Sequence, residues 1–341
     1  MIIEGRCLDE ILRKLYGELS SSTDTFQASK GKGQDLLGSK ILLKDPRARI
    51  SATATRGRLI SAIAEFCWYM SGSADLDFIR FYLPDYPPNG VTGSIEEAYG
   101  PRMIGTGEFG RYYNQIERAI ERLREKPDTR RAVISILEPS DLEPEKIEAP
   151  CTTALQFIRR RDRLHMIAMM RSNDAFIGFT HDVFCFTMIQ EFIARALGLQ
   201  LGEYHHFATS LHLYEQDVQK VASYLDEGFQ NPTFAMPKMP PGCQRVNLAT
   251  FLKVEQSIRC GDITDAAQIN LPEYWRDLAL ILLRHADTKM KRGTKAMMEN
   301  FSNISDKFYS NFFIKKPTLV PDVGNAMVQD RLDLGDNDDA G

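Results

Sequence analysis

Cys151-Thr-Thr-Ala-Leu-Gln-Phe-Ile158, Arg159-Arg-Arg-Asp-Arg163 and Leu164-His-Met-Ile-Ala-Met-Met170 follow one another without a break. The outer two are apolar runs of strand length, and the middle one is five charged residues. A short charged run between two such stretches predicts a hairpin, with strands at Thr153–Ile158 and Leu164–Met170. The arginines then read as a solvated turn. Hairpin pairing in place of strand–helix–strand alternation sets the fold class as α+β with a mainly antiparallel or mixed sheet packed with helices.

Working upstream, Ala132-Val-Ile-Ser-Ile136 reads as a buried strand after an amphipathic helix at 113–125. An acidic, proline-bearing connection at 138–149 joins it to Cys151. Residues 83–101 form an irregular loop ending in Tyr99-Gly-Pro-Arg102. Residues 58–70 are apolar on nearly every face and predict a buried helix that carries one carboxylate, Glu65. Ser29-Lys-Gly-Lys-Gly-Gln34 reads as a loop, and the first twenty residues as a surface-packed helix. Downstream, Val183–Leu197 is a long apolar helix stopped by Gly198, with Asp182 at its N-terminus. A strand follows at Glu203–Ser210. Helices at 245–259, 273–288 and 291–313 then make a helical extension. The division is 1–242 for the catalytic domain and 243–325 for the extension. An acidic tail at 326–341 reads as disordered.

The whole chain has 341 residues, 42 Lys and Arg against 46 Asp and Glu, and a net charge of −4. No global basic surface exists for polymeric nucleic acid. No apolar run approaches membrane-spanning length. Six cysteines without C-x-x-C spacing, and no signal peptide, place the chain in a reducing cytoplasm with free thiols.

Cys151 opens a strand. A lone cysteine is commonly a small buried hydrophobe. Arg130, Arg131, Arg171 and Arg102 lie near it in sequence or across the hairpin, and cations of that kind activate a thiolate and also clamp a phosphate. Ser172 and Asn173 are short hydrogen-bonding groups. Glu65 is either paired with an arginine or functional. Asp182, taken alone, is a helix N-cap. His212 and Tyr214 alternate on one face of an extended segment, and such a pair is more often a structural bond than a site. His205-His206 has no spaced partners, so no metal is expected.

The series Arg130-Arg131, Pro150-Cys151, Gln156-Phe157, Arg171-Ser172-x-Asp174, Gly178 and His212-x-Tyr214 resembles the thymidylate synthase family, including its pyrimidine hydroxymethylase branch. The resemblance covers roughly residues 55–220 and implies roles by position. Cys151 looks like the nucleophile that attacks pyrimidine C6. Arg171 and Ser172 look like phosphate ligands, and His212 with Tyr214 like sugar-hydroxyl ligands. Arg130 and Arg131 match the pair that reaches the nucleotide of the neighbouring subunit, which implies a homodimer. Glu65 matches the buried glutamate that organises water, Asp174 the pterin-binding residue, and Tyr99 the tyrosine near the C5 proton. The implied one-carbon donor is 5,10-methylenetetrahydrofolate, and the implied substrate is a pyrimidine nucleoside monophosphate.

The departures from the family pattern sharpen the expectation. An asparagine that reads uracil is replaced by Asp182, whose carboxyl group, when protonated, matches the donor–acceptor order of cytosine. Thr152 stands where a histidine follows the nucleophile. The Trp-rich folate loop has no match in 83–97, and the upstream phosphate arginine is absent unless Lys30 or Lys32 replaces it. The expected activity is 5-hydroxymethylation of a cytidylate, dCMP first and CMP second. The rivals are reductive methylation of dUMP or dCMP, a non-catalytic nucleotide-binding protein, and a cysteine hydrolase that would need a histidine base near Cys151.

Overall fold

The computed structural model describes residues 1–28, 31–86, 93–105, 113–146, 148–231, 233–310 and 312–313. Its centre is one mixed sheet. The strands are β1 (Ile2–Gly5), β2 (Thr25–Ala28), β3 (Gly31–Leu43), β4 (Val133–Ser135), β5 (Thr152–Arg160), β6 (Arg163–Met170), β7 (Asn173–Asp174) and β8 (Gln200–Tyr214). The order across the sheet is β1-β3-β8-β6-β5-β4, with β2 on β3 and β7 on β8. The β5–β6 hairpin turns at Arg161-Asp162, and Arg161 takes a positive φ of 55°, as a two-residue hairpin loop requires. The five-residue charged run is the tip of that hairpin, and the α+β class holds.

The helices are α1 (Leu8–Ser21), α2 (Leu59–Met70), α3 (Leu76–Tyr82), α4 (Tyr99–Ile104), α5 (Gln115–Glu125), α6 (Gly178–Leu197), α7 (Val218–Asp226), α8 (Arg245–Cys260), α9 (Glu273–Lys289), α10 (Thr294–Ser302) and α11 (Lys307–Ser310). α2 is buried along eleven of its twelve residues, which explains why its sequence lacks a polar stripe. It packs between α6 and the α8–α9 pair. Trp275, Leu278 and Phe251 of that pair belong to the same hydrophobic core as Trp68 and Phe186. The helical extension is therefore built into the main core.

Five expectations need correction. Residues 2–5 form a strand parallel to β3, and the first helix begins only at Leu8. The Gly31–Gln34 stretch is strand, because β2 and β8 supply partners on both sides. Gly33 permits this, since a Cβ there would lie 2.3 Å from the Leu213 carbonyl oxygen. Tyr99–Arg102 is helical, with Pro101 in the first turn, where its missing N–H costs no hydrogen bond. The long helix starts five residues earlier than expected, at Gly178. The 291–313 stretch is two short helices, α10 and α11. Lys30 and the acidic tail lie outside the described residues.

Candidate active site

β5 begins directly after Cys151, so the strand fixes the thiol at the rim of the sheet, half-buried. The loop before it is pinned by Arg171. The arginine backbone N–H donates to the Cys151 carbonyl at 2.9 Å. Its Nε donates to Pro150 O at 2.9 Å and its Nη2 to Ala149 O at 2.6 Å. Two of five guanidinium N–H groups are thus committed to the loop, and the exposed side keeps donors for an anion. Ser172 is half-buried beside it.

Tyr99, at the start of α4, reaches the same point. Its hydroxyl accepts from the Thr152 N–H at 3.2 Å. Its ring packs against Tyr69 at 5.2 Å and stacks with Phe186 at 6.3 Å. Burial, with the charges of Asp182 and Cys151 nearby, pushes this phenol well above its ordinary range. Glu65 is buried in α2, and its Oε1 accepts from the Tyr69 hydroxyl at 2.8 Å. The partner of Glu65 is therefore a tyrosine one turn on, in place of an arginine.

Asp182 is not an N-cap. α6 begins at Gly178 with Ile177 in the capping position, so Asp182 falls in the second turn with its side chain facing the interior. Its Oδ2 accepts from Asn173 Nδ2 at 2.7 Å. Burial, then the charge of Glu65, pushes the carboxyl up to about 8, so a neutral acid is accessible near neutral pH.

His212 and Tyr214 lie two apart on β8 with rings 5.0 Å apart, both buried, and Phe26 of β2 closes over them edge-on. Burial, then the charges of Asp174 and Cys151, pushes the Tyr214 phenol up. Asp174 Oδ1 accepts from the Phe176 and Ile177 N–H groups at 2.8 and 3.0 Å, and among the described residues no hydrogen bond is made to its Oδ2. Cys151, Tyr99, Glu65, Asp182, Asp174, Arg171, Ser172, His212 and Tyr214 thus gather around one rim.

Arg130 and Arg131 do not join them. They are exposed before β4, where Val133 pairs with Gln156, five residues along β5 from Cys151. At about 3.3 Å per residue that is about 16 Å from the thiol, and antiparallel pairing carries the arginines further still. Arg102 is also no clamp residue. It is buried in a two-point pair with Asp141, both contacts 2.6 Å. His181 and His165, the histidines that a cysteine hydrolase could draw on, are both engaged elsewhere. His181 bonds Ser61 Oγ and the Ile177 carbonyl, and His165 Nδ1 accepts from the Glu203 N–H. His165, Glu203 and His205 come together on the sheet face opposite Asp182, with donor atoms within 4.8 Å.

Tyr69, Tyr204 and the buried arginines are not marked as site residues by the sequence motifs. Tyr69 carried a signal, the i, i+4 spacing from Glu65. Arg49 and Arg56 line a small cavity with Ser51, Arg58, Thr180 and His181. Arg49 pairs with Glu191, yet its Nε and Nη1 and the Arg56 Nε have no partner among the described residues. Among the described residues no helix is long and apolar enough to cross a membrane.

Residues 47–263 match the family model described as thymidylate synthase. A deoxyuridylate hydroxymethyltransferase of Delftia phage PhiW-14 is 31% identical over 219 residues, covering 59% of this chain and 59% of the phage protein. A thymidylate synthase of Symbiobacterium thermophilum is 28% identical over 197 residues, covering 53% of this chain and 69% of that one. The match thus spans less than two thirds of the phage relative's length.

Proposed function

The chain belongs to the thymidylate synthase family, and from that premise we propose that it transfers a one-carbon unit to C5 of a cytidylate and hydrates it to the 5-hydroxymethyl nucleotide. dCMP is the first substrate and CMP the second. The observation that carries the base assignment is Asp182, a buried carboxyl group able to be neutral near pH 8. A neutral carboxyl offers one donor and one acceptor, the order that cytosine N3 and N4–H require.

In this reading the Cys151 thiolate forms a bond to C6 and the electron pair moves to C5. Arg171 and Ser172 hold the phosphate, and His212 with Tyr214 holds the sugar hydroxyl. Tyr99 lies beside the nucleophile and moves the C5 proton. When bound, 5,10-methylenetetrahydrofolate supplies a one-carbon unit at the formaldehyde oxidation level. Asp174 would hold its pterin, and the carboxylate oxygen left over from its turn fits N–H donors of that kind. Glu65, with Tyr69 on one oxygen, keeps the other to orient water at the new carbon. Water adds to the new carbon after loss of the C5 proton and the spent tetrahydrofolate, and the C6–S bond then breaks with its electron pair on the Cys151 sulfur, which restores the ring.

We place Arg130 and Arg131 in the neighbouring site of a homodimer. The catalytic domain spans 1–242 and the extension 243–325. The chain works in the cytoplasm, on a nucleoside monophosphate rather than on polymeric nucleic acid or a membrane.

A second reading takes dUMP as the acceptor, and it is favoured by the phage relative, whose name specifies deoxyuridylate. Reductive methylation is the alternative outcome. One incubation with methylenetetrahydrofolate and dCMP, CMP or dUMP, read by mass spectrometry, separates them all. A gain of CH2O on a cytidylate is expected. A gain on dUMP alone would move the substrate, a gain of CH2 would move the reaction to methylation, and no gain on any would sink the proposal.

A further inference from the structure

Asp182 is held by a chain of side chains outside its own helix. Asn173 Nδ2 donates to Asp182 Oδ2 at 2.7 Å, Asn173 Oδ1 lies 3.0 Å from His206 Nε2, and His206 Nδ1 lies 2.8 Å from the Tyr204 hydroxyl. All four residues are buried, and Phe179 packs edge-on against the imidazole at 5.1 Å. An amide can be flipped and an imidazole has two tautomers, so distances alone do not give the direction of such a chain.

The far end of the chain supplies that direction. Burial holds the Tyr204 phenol well above its ordinary range, so it keeps its proton. His206 Nδ1 is its one hydrogen-bond partner among the described residues, so the O–H donates there. A fully buried imidazole with no counter-charge stays neutral, and burial pushes His206 down to about 3. With Nδ1 accepting, its single proton sits on Nε2 and donates to Asn173 Oδ1. The amide then presents its NH2 to Asp182.

We infer that Tyr204, His206 and Asn173 are positioning residues, a one-way hydrogen-bond chain that makes Asp182 Oδ2 an acceptor only and leaves Oδ1 as the oxygen that carries any proton. The inference rests on the reading of Asp182 as the base-recognising group. It adds the order of donor and acceptor. A carboxyl group free to take its proton on either oxygen would match cytosine in one state and not in the other.

The test reads Asp182 directly, by 13C NMR of protein labelled at the aspartate side-chain carboxyl, with the signal assigned through Asp182→Asn. The groups facing this carboxyl are Glu65 and Tyr69 from α2, Tyr99 from α4, Tyr86, Asp174 from β7, Tyr204 from β8 and Cys185 on α6. Tyr204→Phe leaves each of the others in place. It is expected to release the imidazole tautomer, let the amide turn, and raise the Asp182 midpoint by about one unit. The preference for cytidylate over dUMP in kcat/KM should fall about tenfold with it. In an Asp182→Asn background the same change should leave the preference where it is. Asn173→Ser serves as the second variant, with the same expected direction. An unchanged midpoint in both variants overturns the chain. A shifted midpoint in a protein that never prefers cytidylate leaves the chain standing and removes the functional reading instead.

Discussion

Asp182 is buried within α6, and its hydrogen-bond partner is the Asn173 amide in place of a cation. Burial and Glu65 together push it up to about 8. If its neutral form recognises cytosine, kcat/KM on a cytidylate should be flat at neutral pH and fall tenfold per unit above about pH 8. Asp182→Asn should erase that limb and turn the preference toward uracil, which initial rates across the alkaline range will show. A limb that survives the substitution would assign it to another group. Stability follows the same sign. A carboxyl raised in the folded state contributes fully below its unfolded value of about 3.9, and the contribution is lost as pH rises through about 8. Cys151 carries a simpler prediction. Cys151→Ser should lower turnover at least about a thousandfold, and near-normal rates would remove it as the nucleophile. Both residues are legible in the sequence through the family resemblance, Cys151 by its Pro-Cys pair and Asp182 as a departure from the pattern. Tyr204 and His206 are not, because the chain they make with Asn173 crosses from β8 to β7 to α6. No spacing along the polypeptide announces a bond between such elements.

At the scale of elements, the β5–β6 hairpin is legible in the sequence because its apolar runs and its turn are contiguous. β3 is not. Its Gly31-Lys-Gly-Gln34 segment has the composition of a loop, and becomes strand only because β2 and β8 take up its backbone N–H and C=O groups. Tertiary pairing overrode local propensity. The same pairing brings Gln34 opposite Leu213 and Gly33 opposite Tyr214, so this end of β3 supports the strand end that carries His212 and Tyr214. Gly33→Ala tests this. Its Cβ would meet the Leu213 carbonyl at 2.3 Å and the Phe26 ring at 2.7 Å; the half-buried ring can turn aside, but the carbonyl cannot move without shifting β8. We expect a loss of about 1–3 kcal/mol in unfolding free energy, together with a raised KM for the nucleotide. A variant with normal KM would uncouple β3 from the site.

At the scale of the whole molecule, the helices among the described residues cover one face of the sheet. The other face carries Ile2 and Phe207, 68% and 41% exposed, with half-buried Ile167 and Met169 between the edges. Cross-strand register places Ile2, Lys40, Phe207 and Met169 in one row. A second copy of the chain is the partner that the homodimer reading puts there. The arginine pair gives that reading a sharper test, because Arg130 and Arg131 stand far along β5 from their own Cys151. If they serve the neighbouring site, Cys151→Ala and Arg131→Ala homodimers will each be impaired, the first completely. Co-refolding the two should then restore activity, since each mixed dimer holds one site with its own Cys151 and its neighbour's Arg131. Random reassortment gives about a quarter of the wild-type number of intact sites. If Arg131 acts within its own subunit, every site in the mixture lacks one residue or the other, and the mixture will stay at or below the Arg131→Ala level.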